Sequence, residues 1–282
     1  MIYKNTQIGR RQFLKRSLIL GAAPLTTMCQ YNAGMRRVEN IGLQLYTLRR
    51  EMAQDFDGTL SRVAELGYQE VEFAGYFDKS ALAVRSTLDR LGMTSPAAHI
   101  QLRAVRNNLE AEIEYAATLG QKYIVVPSLP GDERTLSHYQ QHADLLNRAG
   151  EVCRNAGLKM GYHNHAYEFE VTQGRVPYDI LLDETEPGLV DMELDLFWII
   201  AGRANPVDYF ENHPGRFAML HVKDMARDGS MIDVGRGTID FASLFSYADT
   251  AGFQHYFVEH DNPDNGLESV AYSIRSIRNL VF

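Results

Sequence analysis

Short apolar runs alternate with helix-spaced stretches along most of this chain, and a glycine closes one helical stretch after another. Ile41 to Tyr46 (IGLQLY) reads as a buried strand, Phe56 to Leu66 as a helix with apolar spacing of three and four, and Gly67 as its stop. The unit then recurs. Strands are expected at Gln69–Ala74, Thr94–Ile100, Tyr123–Pro127, the run entering Met160–Phe169, Leu189–Leu196, Phe217–Val222 and Tyr256–Glu259. Helices are expected at Lys79–Leu91, Leu102–Leu119, Arg134–Asn155, Pro177–Glu184, Pro206–Asn212, Phe241–Ala251 and Leu267–Leu280, with Gly92, Gly120, Gly157 and Gly252 as stops. Eight strands alternating with eight helices over about 240 residues imply a parallel sheet, and that count favours a closed (β/α)8 TIM barrel over an open sheet. No GxGxxG or GxxxxGK[ST] loop follows the first strand, which argues against nucleotide binding. No composition break divides residues 38–282, so one α/β domain is expected there.

The residues before it have another character. Arg10, Arg11, Lys15 and Arg16 precede an apolar run from Leu18 to Leu25 that is too short for an ordinary transmembrane helix, the pattern of a secretory leader. Arg10-Arg11-Gln12-Phe13-Leu14-Lys15 resembles a twin-arginine export signal, with Gly9 where that pattern prefers Ser or Thr. Residues 1–35 are therefore expected to be an export leader, and the barrel to be periplasmic or membrane-anchored on that side. Thr26-Thr27-Met28-Cys29 offers a loose lipoprotein site that would anchor the chain through Cys29, and Asn32-Ala33-Gly34 offers ordinary cleavage. Loss of the leader removes five positive charges and no negative ones, taking the net charge from −8 to −13 and disfavouring nucleic acid as a partner. Cys29 and Cys153 are too few for a disulfide framework.

In a barrel of this kind chemistry sits where the strands end. Met160 to Phe169 (MGYHNHAYEF) is the densest such end, because His163 and His165, one residue apart, would face one side together beside Asn164 and Glu168. Taken alone it could equally be a polar strand end with hydrogen-bonded histidines. The other strands end in Glu72, His99, Asp195, His221 followed by Lys223 and Asp224, and Glu259 followed by His260 and Asp261. Clustered carboxylates repel one another unless a cation neutralises them, so one divalent metal is expected. Mixed imidazole and carboxylate donors suit Mn, Zn, Co or Fe(II) rather than Ca, and Mg is kept as a further candidate.

From Gly42 to the end the chain resembles the xylose isomerase-like, endonuclease IV-like barrels, also called sugar phosphate isomerase/epimerases. The matching pieces are GLQLYTLR at Gly42–Arg49, AELGYQEVEF at Ala64–Phe73, YHNHAYEF at Tyr162–Phe169, ELDLFW at Glu193–Trp198, LHVKD at Leu220–Asp224, VGRGTIDF at Val234–Phe241 and VEHD at Val258–Asp261. The resemblance implies one metal held from strands five to eight, with Asp195, His221 and Glu259 as three ligands. The family usually has glutamate as the strand-five ligand; here His163 stands in its place, with His165 or Glu168 as alternatives. It also implies a small carbohydrate substrate and isomerisation, epimerisation or elimination through an enediolate stabilised by the metal. Glu259 is the expected base, with Glu168, His165, Lys223 and His99 as acids or hydroxyl contacts. Glu72, which would orient His99, together with Trp198, Asn164 and Arg236, completes the expected substrate-side residues. Loss of one glutamate disfavours two-base epimerisation and favours isomerisation or β-elimination of a keto-sugar or keto-glycoside. The rival expectations are a metal-bearing barrel that binds sugar without catalysis and, against the charge balance, an endonuclease IV-like nuclease.

Overall fold

The computed structural model describes residues 35–282; the leader and Cys29 lie outside the described residues. Eight parallel strands form the barrel: β1 (Ile41–Gln44), β2 (Glu70–Glu72), β3 (Ala97–His99), β4 (Tyr123–Val126), β5 (Lys159–His163), β6 (Val190–Asp195), β7 (Met219–Val222) and β8 (His255–Val258). Sequence neighbours pair from β1 to β2 and from β3 through β8, and β8 pairs with β1. The seam between β2 and β3 is carried by isolated bridges, Glu70 to Thr94 and Phe73 to Ala98. Helices lie between the strands, as a right-handed parallel crossover requires.

Local chemistry sets the element ends. Asp55 caps the helix Phe56–Leu66 by accepting from the Gly58 N–H, and Gly67 ends it in the left-handed region at φ 94°, where a Cβ would be strained. Two helical stretches are more divided than their spacing suggests. Leu102–Leu119 breaks at Asn108, whose backbone leaves the helical region, into Leu102–Asn107 and Leu109–Leu119. Phe241–Ala251 likewise splits at Ser246–Tyr247 into two short helices. A further helix, Leu196–Ala201, follows β6 directly. Its apolar sequence extends that of the strand, so hydropathy alone does not separate them.

Strand alternation and register then stack the inward side chains in layers. One layer is apolar and tight: Val125 and Met219, which cluster with Phe257, press on Gly161, where a Cβ would come within 2.9 Å of Val125 Cγ2 and 3.2 Å of Met219 Cε. The next layer toward the strand ends is polar, formed by Gln44, Glu72, His99, His163, Glu193 and His221, because His163 is level with Glu193 and Gln44 with Glu72. Asp195, Lys223 and Glu259 stand above it.

Candidate metal centre

Asp195 occupies the junction between β6 and the helix Leu196–Ala201, and its two oxygens do different work. Oδ1 accepts from the Trp198 N–H at 2.8 Å and caps the helix. Oδ2 points into the barrel. Asn164 fixes the junction: its Oδ1 accepts from the Asp195 N–H at 2.9 Å and its Nδ2 donates to the Asp195 carbonyl. Asn164 is thus fully buried against backbone, away from the cleft.

Three donors converge with Asp195. His221 Nδ1 lies 2.7 Å from Glu259 Oε2 and 4.0 Å from Asp195 Oδ2, and His163 Nε2 lies 3.8 Å from Asp195 Oδ2. Asp195, His221 and Glu259 form one candidate cluster for a cation, and His163 faces it. Asp195 Oδ2, Glu259 Oε2 and His221 Nδ1 are buried without a hydrogen bond of sound geometry. Buried imidazole and carboxylate donor atoms that converge in this way fit a divalent metal. Lys223 Nζ stands 3.0 Å from Asp195, 2.8 Å from Glu259 and 2.6 Å from Asp261, so three carboxylates surround one ammonium. A dication added to this set would balance its formal charge.

Burial and neighbours set the protonation states. Burial raises the Asp195 carboxyl to about 6 against the pull of Lys223. Burial also opposes ionisation of Glu259, yet Lys223 and His221 together hold its carboxyl below the usual range. Burial and then His221 push His163 well below the ordinary histidine value, so its ring is neutral and has a lone pair to offer. Burial likewise works against a charge on Lys223, but Asp195, Glu259 and Asp261 raise it well above the usual lysine range.

Above the cluster opens a cleft of about 530 Å³, lined among others by Tyr46, Tyr76, His99, His163, His165, Lys223 and Glu259. That size suits a small molecule. His165 stands at its edge between Tyr167, stacked at 5.5 Å, and Trp198, tilted at 5.6 Å. Burial and then Lys223 lower it to about 3, so it too is neutral. Trp198 is half-buried behind His165, its indole Nε1 without a partner.

Other expected residues are placed elsewhere. Glu168 is fully buried behind β5, where Oε1 accepts from the Tyr162 hydroxyl at 2.7 Å and Oε2 from the His165 N–H at 2.9 Å. It holds the loop that carries His165 and does not line the cleft. Arg236 lies on the outer loop with its guanidinium 4.0 Å over the Tyr272 ring, also outside the cleft. That loop is tied down by Asp224, which accepts from the N–H groups of Gly235, Gly237 and Ile239. Glu72 lies under the cluster, hydrogen-bonded to His221 Nε2 at 2.8 Å and accepting from Gln44 Nε2 at 2.6 Å. His99 is nearer to Glu193, at 2.7 Å, than to Glu72, at 3.5 Å. Glu193 is the residue at this centre that sequence reasoning leaves out of the site. The available signal was the strict alternation Asp191, Glu193, Asp195, which puts it on the barrel interior, where a carboxylate requires partners.

Fold and cluster together define a parallel β/α barrel with imidazole and carboxylate donors gathered at the C-terminal ends of its strands. The chain belongs to the xylose isomerase-like TIM barrel family, whose model matches residues 56–280. It is similar to the inosose dehydratase of Geobacillus kaustophilus, at 27% identity over 231 residues that cover 67% of this chain and 74% of that protein. A solved sugar phosphate isomerase/epimerase from Parabacteroides distasonis superposes with a TM-score of 0.72 at 29% identity, covering 87% of this chain and 94% of that one. The IOLI protein, solved with a bound zinc atom, shares the fold at a TM-score of 0.67 and 17% identity, covering 84% and 96%.

Proposed function

We propose that this protein is a divalent-metal-dependent enzyme that removes a proton from the carbon beside a carbonyl in a keto-sugar or keto-glycoside, with β-elimination as its reaction. The observation that carries the reading is the convergence of the buried donor atoms of Asp195, His221 and Glu259 under an open cleft. His163, Asp195, His221 and Glu259 would hold the metal. When bound, it would supply Lewis-acid polarisation of a substrate carbonyl.

The chain's own residues supply the rest. Glu259 is ionised and takes the proton from carbon. Lys223 keeps its positive charge in a buried setting and stabilises the oxyanion that develops next to that carbon. The bond to the neighbouring hydroxyl or glycosidic oxygen then breaks, and that oxygen leaves with the proton that Glu259 received. His165, neutral at the cleft edge, contacts a substrate hydroxyl, and Trp198 backs its ring. Glu112, Glu259 and Asp261 line the cleft, but the strand-five donor beside Glu259 is an imidazole rather than a second metal-side carboxylate, which favours elimination over two-base epimerisation. Similarity to an inosose dehydratase supports elimination, and the isomerase/epimerase neighbour supports the shared proton-abstraction step.

We further propose that residues 1–35 export the enzyme, which would place it where glycoside breakdown products arise. A reporter fused after residue 35 should be exported, and replacing Arg10 and Arg11 by lysine should retain it inside.

The test incubates metal-loaded protein with keto-sugars and keto-glycosides in deuterated water. Loss of water or of the aglycone that stops on chelation is the expected result. Full activity after metal removal would sink the metal reading. Ligand binding without C–H exchange would make the protein a sugar-binding barrel, and exchange with inversion would make it an epimerase.

A further inference from the structure

Beneath the donors that face the cleft, one carboxylate oxygen meets three imidazoles. Glu193 Oε2 lies 2.7 Å from His99 Nε2, 3.1 Å from His221 Nε2 and 3.3 Å from His163 Nδ1. His163 and His221 each turn one nitrogen down toward this oxygen and the other up toward Asp195 and Glu259. Glu72 Oε2 supports the same face of His221 at 2.8 Å and is itself held by Gln44.

An imidazole presents a lone pair on one nitrogen only if its proton sits on the other, and the hydrogen bond made by the protonated nitrogen decides which is which. We infer that Glu193, backed by Glu72, is a positioning residue that holds the ring protons of His163 and His221 on their inner nitrogens, so that both outer nitrogens are free to bind the metal. This rests on the metal reading given above and assigns a role to a residue outside the ligand set.

The same atoms have a rival use. His99, His163, Glu193 and His221 also form a compact donor group of their own, which could hold an ion one layer deeper. Two observations favour positioning. His99 Nε2 is hydrogen-bonded to Glu193 Oε2 at 2.7 Å and His221 Nε2 to Glu72 at 2.8 Å, so of the nitrogens facing Glu193 only His163 Nδ1, at 3.3 Å, lacks a hydrogen bond, whereas Asp195 Oδ2, Glu259 Oε2 and His221 Nδ1 above all lack one. Glu193, at the centre of the deeper group, is also wholly buried and lines no part of the cleft.

Glu193→Gln keeps the shape but replaces an anionic acceptor facing three imidazoles by a neutral amide, which holds the inner ring protons less strongly. Divalent metal affinity, measured by chelator competition on the full-length protein, should fall about 10- to 100-fold. The visible spectrum of the cobalt-loaded variant, at saturating cobalt, should keep the band pattern of the parent, because the ligands are unchanged. Asp195→Asn should alter those bands. Should Glu193→Gln not fold, Glu72→Gln, which touches His221 but not His163, should weaken binding by a smaller factor with the same retained spectrum. Parent-like affinity in a folded Glu193→Gln, or in Glu72→Gln where that is the variant measured, would overturn the inference. So would a changed cobalt spectrum, which would make Glu193 a ligand. If the parent protein itself binds no divalent metal, the functional reading falls and takes this inference with it; a parent that binds metal beside an unaffected variant sinks the inference alone.

Discussion

Glu168 shows how one residue in a dense polar stretch can serve the scaffold while its neighbours face the cleft. It accepts hydrogen bonds from the Tyr162 hydroxyl and the His165 N–H with no exposure to solvent. Burial raises its carboxyl from 4.5 to about 7. Between those values the folded protein keeps a proton that the unfolded chain releases. Its contribution to stability is therefore fully present below about pH 4.5 and declines as pH rises through about 7, by about 3 kcal/mol in all. Glu168→Gln removes the titrating group and keeps the shape, so its unfolding free energy should lose that decline and exceed the parent's at pH 8. Urea titrations at pH 5 and pH 8 check this; an equal loss of stability at both would show that the carboxylate, not the neutral acid, is the stabilising form. In the sequence Glu168 is indistinguishable from a ligand, because YHNHAYEF supplies residue types without saying which ones the turn after His163 directs outward. The 3-10 turn Tyr167–Phe169 decides it, and a single turn leaves no periodic signature.

Elements explain why some positions were legible and others were not. Strand alternation states which side a residue faces, and this was enough to put Glu72, His99, His163, Asp195, His221 and Glu259 toward one interior. It does not state depth. Depth follows from register between neighbouring strands: His163 is level with Glu193, and Asp195 lies two residues further along the same strand as Glu193, above it. Glu193 was visible as an inward carboxylate but its contact with three imidazoles was not. Arg236 lies outside the cleft for a related reason: the loop path after β7 is set by the Asp224 carboxylate, a tether that local sequence does not encode. Asp195 sits where strand becomes helix, and its two oxygens allow its two roles to be separated. Both Asp195→Asn and Asp195→Ala lose the buried ion pair with Lys223 and most metal affinity, but asparagine keeps a capping oxygen, so Asp195→Asn should be more stable than Asp195→Ala by about 1 kcal/mol in metal-free protein, the usual worth of a cap. Chemical denaturation in chelator, paired with metal titration, reads the two effects apart. Equal stability of the two variants would mean that the cap contributes nothing.

For the whole molecule, the polar layers carry a cost that the apolar layer around Gly161 must help to offset. A barrel interior is ordinarily filled by branched apolar side chains. Here Glu72, Glu193, Asp195 and Glu259 lie within it, and unpaired charges in such a setting destabilise. Gly161 lets the layer below close tightly under the cluster, and Gly161→Val should overpack it against Val125 and Met219, costing about 1–3 kcal/mol and disturbing the His163 end of the same strand. The metal-free barrel should accordingly be less stable than its packing suggests, and binding at the cluster should restore the difference. A ligand that binds only the folded state at 100 times its dissociation constant adds about 2.7 kcal/mol. For a domain of this size that is a rise in melting temperature of roughly 5–10 °C. The rise should appear with added divalent metal in chelator-treated protein, vanish in Asp195→Ala, and shrink at equal metal concentration in Glu193→Gln. Scanning calorimetry of the three proteins, with and without metal, makes the comparison. A melting temperature that ignores metal in the parent would show that Lys223, rather than an ion, is the cation around which these carboxylates fold.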